Sequence, residues 1–189
     1  MLSNGRVRTR RCNHWLMYGI AVFSMVAMAG AQISESQPSQ DFINKRITEI
    51  VDSALQRGTG ATPEGVRTTP MRAEASLKEM DEIKLYGTRA IAPLNAYLEG
   101  SNYRAQHLAV RLLSYIGGNE VTAPLSRAAE HSPSQIVRLT AVECLGQQNW
   151  EYVAATVKRI AASDSNQLVR EHAQRVVLAH EREQHQSTR

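Results

Sequence analysis

The sequence predicts an all-α protein: a right-handed α-α superhelix of antiparallel helix pairs, with an extra amphipathic helix at its N-terminal end. Two observations predict it. Ala109, Ala141 and Ala173 recur at a constant spacing of 32 residues, a period typical of stacked helical units. The columns around them are apolar as well: Ala105, Val137 and Val169 four residues earlier, Leu112, Cys144 and Val176 three later, and Leu113, Leu145 and Val177 four later. These offsets fall on one stripe of an α-helix, so each unit contains a helix with one buried face.

The ends of this helix are marked in the same register. Asn102, Ser134 and Asn166 stand seven residues before the alanines, where a short polar side chain can cap exposed amides. Gly117 suits a C-cap in the first unit and Asn149 substitutes for it in the second. Glu181 holds that place in the third, so the last helix is expected to run on toward Gln184. A second helix precedes each of these. It is marked by Ala90, Leu94, Tyr97 and Leu98, then by Val121, Leu125, Ala128 and Ala129, then by Val153, Val157, Ile160 and Ala161. Pro93 and Pro124 lie near its beginning, where a missing amide matters least, and Thr156 fills the place in the third unit.

Upstream, Ile43, Ile47, Ile50, Val51, Ala54 and Leu55 define the extra amphipathic helix, which Gly58 can end. A further helix is expected from about Met71 to Tyr86, with Leu77, Met80 and Ile83 on one side. Between them GTGATPEGVRTTP has several breakers and no apolar face, which reads as a mobile surface loop.

The first 31 residues are different in kind. Arg6, Arg8, Arg10 and Arg11 precede an apolar run from Leu16 to Ala29, followed by the small residues Gly30 and Ala31. That order fits a signal peptide cleaved after Ala31. Retained, the same segment would anchor the chain in a membrane, although the run is short for a span of roughly 20 residues. Cys12 precedes the apolar run, the wrong side for lipid attachment, and Cys144 is then the one cysteine left, so no disulfide forms within the mature chain. The expected organisation is a signal peptide over 1–31, an N-terminal helix and loop over 32–70, repeats over 71–184 and a disordered tail over 185–189. The expected location is periplasmic or secreted.

Cleavage also changes the charge. The chain carries 22 Lys and Arg, 18 Asp and Glu and a net charge of +4, but four of the arginines and none of the acids lie in the first 31 residues. The mature chain is formally neutral, so nucleic acid is not an expected partner.

The segments VRLTAVECLGQQN and LVREHAQRVVL, with the LSYIGG ending of the first unit, resemble the short bacterial HEAT-like repeats also found in phycobilin lyase-related proteins. The likeness runs from Leu85 to His180. Gln106 departs from it by replacing the arginine, and the last unit lacks its glycine. The resemblance implies a repeat fold. It also brings two alternative functions, a lyase- or isomerase-type enzyme and a nucleic-acid-binding protein.

The residues themselves indicate no catalytic, cofactor or metal site. No two mature histidines have the i, i+4 spacing of a helical ligand pair. His180 with Glu183 comes nearest, and reads as a solvated charge cluster. Cys144 shares its column with Leu112 and Val176, which makes it a core residue rather than a nucleophile. No glycine-rich phosphate loop or nucleophile elbow is present. Asp81 and Glu82 are adjacent acids of the kind that serve solubility.

What remains is the surface that repetition creates. His107, Leu139 and Glu171 lie two residues before the alanines, and Arg111, Glu143 and Arg175 two after. All six sit opposite the core stripe, on the helix that the resemblance places on the concave side. They are the candidate contact surface for an unidentified protein partner. Arg138 and Arg170 form another column, suited to stapling one repeat to the next with an acid such as Asp164. Trp150 and Tyr152 open the last unit, where an aromatic can seal the inter-repeat turn.

Overall fold

The computed structural model describes residues 37–57 and 75–187, so the expected signal peptide and the loop at 58–70 lie outside the described residues. Among those described, eight α-helices follow one another: α1 (Gln40–Arg57), α2 (Leu77–Tyr86), α3 (Ile91–Glu99), α4 (Tyr103–Ile116), α5 (Thr122–His131), α6 (Gln135–Gly146), α7 (Trp150–Ser163) and α8 (Gln167–Ser187). Short 3-10 turns at Gly87–Ala90 and Asn119–Val121 lead into α3 and α5. Pro93 and Pro124 are the third residues of those helices. At that depth an amide has no acceptor within the helix, so proline removes no bond and introduces no kink.

Three helix pairs, α3–α4, α5–α6 and α7–α8, stack in two layers, with α3, α5 and α7 in one and α4, α6 and α8 in the other. This is an all-α solenoid. The alanine column is fully buried, as are the columns four residues before and four after it in the first two units. Val176 and Val177 are only partly covered, because no further pair packs on α8 among the described residues. The last unit is also polar where its predecessors are not. Gln174 is exposed at the place of the fully buried Val110 and Val142, as expected of a terminal repeat that meets water.

At the other end α1 supplies Ile43, Ile47, Ile50, Val51 and Ala54, all at or near zero exposure, and packs on α4, α3 and the first 3-10 turn, while α2 packs on α4 and that same turn. Arg46 on α1 forks onto Glu82 of α2 through Nε at 2.7 Å and Nη2 at 3.0 Å, and the Tyr86 hydroxyl donates to the same carboxylate. The Arg46 guanidinium holds the Glu82 carboxyl below the usual carboxylate range.

Several expected boundaries move. The helix expected from Met71 begins at Leu77, within the described residues, because Ser76 and Glu79 close a capping box. Leu77 is 78% exposed and Ile83 is buried. Six residues turn a helix through about 240° beyond one full turn, so the two never shared a stripe. Asn102 and Asn166 each accept two amides as expected, but Ser134 makes no capping bond with its side chain. Asn149, expected to end α6, instead begins α7 by accepting the amide of Glu151. Gly117 does end α4, at a φ of 70° that disfavours other residues. The disordered tail expected at 185–189 is corrected in part, since α8 continues through Ser187.

The register of the core columns is open to direct test. Leu145→Ala, at a fully buried site, is expected to lower the unfolding free energy by about 2–5 kcal/mol. Glu143→Ala, two positions away on the exposed face, should stay within about 0.5 kcal/mol of the parent. Urea unfolding of both variants measures the contrast, and equal losses would mean that the faces of α6 are assigned wrongly.

Candidate functional site

The outward face of α4, α6 and α8 is built by the same offsets that build the core, read from the opposite side. Residues two before and two after each alanine point away from the buried stripe, and the three helices lie side by side. Glu143, Glu171 and Arg175 are exposed, and Arg111 and Leu139 are half-buried. His107 departs from the expectation: it is 6% exposed, because its helix is the one on which α1 and α2 pack. The contact surface therefore begins beside α2. There the Tyr115 hydroxyl donates to Asp81 at 2.8 Å and Lys84 lies 5.3 Å from the centre of the Tyr115 ring.

One part of the face escaped the sequence analysis. Ile136 and Leu168 are 53% and 57% exposed, and both stand five residues before the alanine, where the first unit has Arg104. They place two apolar side chains in water on neighbouring helices, and the half-buried Leu139, one turn along α6, adjoins them. The signal was available, since an offset of minus five lies about 140° from the core stripe and an apolar residue occurs there in two successive units.

Histidine 172 lies at the seam between α8 and α6. Its Nδ1 is 3.2 Å from Nη2 of Arg175, and its Nε2 is buried without a hydrogen-bond partner. Burial holds its pKa below the ordinary histidine value, Arg175 acts in the same direction and Glu143 opposes them.

The other residues singled out from sequence are occupied structurally. Arg138 donates through Nε and Nη2 to both oxygens of Asp164, at 2.9 and 3.2 Å, and through Nη1 to the Ser132 carbonyl at 2.9 Å. Gln106 does the same work in the first unit, donating to the Gly100 carbonyl at 2.6 Å and accepting from the Ser132 hydroxyl at 3.2 Å. Arg170 donates to the Asp164 carbonyl at 2.6 Å. Stapling is the role of this column. The groove of about 460 Å³ beside it is lined by Glu130, Arg138, Arg159 and Asp164, whose charges already pair with one another.

The His180 side chain is half-buried instead of solvated. Its ring stacks on Trp150 at 4.2 Å between centroids, and its Nε2 lies 2.9 Å from the Gly146 carbonyl, at the C-terminal end of α6. Trp150 thus seals the inter-repeat turn, while Tyr152 is 58% exposed and does not. Glu82 and Asp81 are held by Arg46 and Tyr115. Cys144 is buried and free, and burial pushes its thiol pKa up, the opposite of what a nucleophile needs. Among the described residues no three His, Cys, Asp or Glu side chains converge as metal ligands would, and no helix is long and apolar enough to cross a membrane.

Residues 91–177 match the family of HEAT repeats. Over these residues the stack is consistent with an all-α HEAT-repeat solenoid. The chain is also 28% identical, over 116 residues, to the phycocyanobilin lyase subunit beta of Thermosynechococcus vestitus (strain NIES-2133 / IAM M-273 / BP-1). That alignment covers 59% of this chain and 53% of the relative, so the chain spans about half the length of the protein it matches. No solved structure matches. HEAT repeats generally mediate protein interactions, and the exposed face of α4, α6 and α8 is where this HEAT-repeat solenoid presents apolar and charged side chains together.

The staple between units is the feature most sensitive to a single change. The Arg138 and Asp164 side chains are 11% and 5% exposed. Asp164→Ala leaves a buried guanidinium unpaired and is expected to destabilise by about 3–5 kcal/mol. Adding Arg138→Met should recover part of that loss, since no buried charge is left over. Calorimetry on the single and double variants tests the sign of the difference.

Proposed function

We propose that the protein is a non-enzymatic scaffold, periplasmic or secreted, that holds a protein partner on the face formed by α4, α6 and α8. The observation that carries this reading is the exposure of Ile136 and Leu168 on neighbouring helices, with the half-buried Leu139 beside them, bordered by Glu143, Glu171 and Arg175. Apolar side chains gathered on one face and rimmed by charge are the usual composition of a binding patch. Export is supported by the order of Arg6 to Arg11, the apolar run and the small residues up to Ala31. Cleavage after Ala31 leaves a formally neutral chain, which favours a protein over a nucleic acid as partner. If the segment is retained, the scaffold is held at the membrane instead.

One finding favours a second reading. The relative is named as a lyase subunit, and a chain that resembles part of it could serve as a subunit of a lyase acting on a bilin. Against this stands the state of the titratable groups near the face: Cys144 is buried, and Asp81 and Glu82 are tied into contacts between helices.

The two readings part on one experiment. Mild crosslinking in cells, followed by capture of the tagged chain, is expected to recover a specific protein with the parent and to lose it with Ile136→Asp/Leu168→Asp, both at exposed positions, at unchanged melting temperature. Recovery of the same proteins by both forms would overturn the assignment of the face. A rise in melting temperature on adding phycocyanobilin would favour the lyase reading.

A further inference from the structure

His172 occupies the position one residue before the alanine column, held by Leu108 in α4 and Thr140 in α6. Leu108 is 1% exposed, so the position belongs to the seam between neighbouring helices, and in α8 that neighbour is α6. Among the described residues, His172 Nε2 is a side-chain atom buried without a partner. On the other side of the ring, Nδ1 faces Nη2 of Arg175 at 3.2 Å. A guanidinium only donates, so Nδ1 must accept. The ring is then neutral, with its proton on Nε2 inside the seam.

Adding a proton reverses this arrangement. Nδ1 becomes a donor aimed at another donor, and an imidazolium is placed against a guanidinium while its far side stays buried with nothing to accept its N–H. The charged groups that act on the ring are Arg175 on α8 itself and Glu143 on α6. Glu143 favours the cation, but it is exposed and acts through water, where a charge pair is weak. Arg175 is exposed as well, but it touches the ring directly at 3.2 Å, so the seam and that contact prevail, in agreement with a pKa held below the ordinary histidine value chiefly by burial.

We propose that His172 is a proton-sensitive latch between α6 and α8: neutral, it seats α8 against α6, and protonated, it leaves the seam and gives up its contact with Arg175 on the contact face. The sign of the effect follows from linkage. The unfolded chain takes up this proton at the ordinary histidine pKa of about 6.5 and the folded chain only at lower pH. The stability the latch contributes is therefore present above that pKa and is lost as pH falls through the folded value. Acidification would loosen the last helix pair and change the charge the face presents, whichever partner binds there.

The test uses the full chain, with His172→Leu and His172→Gln as two variants that cannot titrate. Leucine is the residue at the equivalent position of α4, Leu108, and glutamine keeps the position polar. Melting temperatures are compared between about pH 7.5 and about pH 5, where histidine changes charge. The parent is expected to lose about 2–4 °C more than either variant over that range, and its α8 amides should exchange several-fold faster at the acid end. Glu143→Gln should enlarge the loss, because it removes the group that favours the cation. Equal losses in the parent and whichever His172 variants fold would overturn the proposal. So would a gain in the parent relative to those variants, or a His172 ring that titrates at or above the ordinary value in an NMR series.

Discussion

Each first helix of a pair must end and turn back while its last carbonyls are without amide partners, and one side chain on the following helix answers that need in every unit. Gln106, Arg138 and Arg170 stand at the same place, and each donates to a carbonyl six residues earlier, those of Gly100, Ser132 and Asp164. These three are the C-caps of α3, α5 and α7. The same side chains then reach forward to the next unit, Gln106 to Ser132 and Arg138 to Asp164. A single column thus closes each turn and joins consecutive turns. The two-layer arrangement, the alignment of α4, α6 and α8 and the surface they share all follow from that register.

The arrangement also explains why so little ionisable chemistry is left over. The arginines and acids along the turns are used in contacts between units: Glu99 with Arg127 and Glu130 with Arg159 between the first helices, and Lys158 with Glu181 inside the last pair. Such exposed pairs contribute little stability individually, but they occupy the groups that a catalytic or ligand-binding groove would need.

The repeat was legible from sequence because packing writes the same residue type at the same offset three times. The Ala109, Ala141 and Ala173 column and its apolar neighbours needed only a period and a helical wheel. Where a residue's role depends on a neighbour distant in sequence, the sequence was silent. His107 looked like surface because nothing in α4 announces that α1 and α2 will cover it. His180 looked solvated because its partners, Trp150 and the Gly146 carbonyl, are 30 and 34 residues away. Boundaries shifted where two local signals competed, as when Asn149 served to start α7 instead of ending α6. The column of Ile136 and Leu168 is less legible for a simpler reason: it lies farther from the pole of the exposed face than the columns two residues either side of the alanine, and the first unit breaks it with Arg104.

The column of staples runs along one edge of the stack, where α3, α5 and α7 turn into their partners. The opposite edge, where α4 and α6 hand over to the next pair, is joined differently. There Ser114 meets Gln147 and Gln148 through neutral bonds at 3.4 Å, and Gly146 lets α6 and α8 approach so closely that a Cβ would lie 2.8 Å from Val176. One margin is laced by an ion pair and short polar links, and the other is held by neutral bonds, close packing and the contact of His180 with the Gly146 carbonyl. A load applied to such a stack does not spread evenly. Separating α8 from α6 at that margin would have to break the His180 contact with the Gly146 carbonyl and the packing of Val176 over Gly146 together.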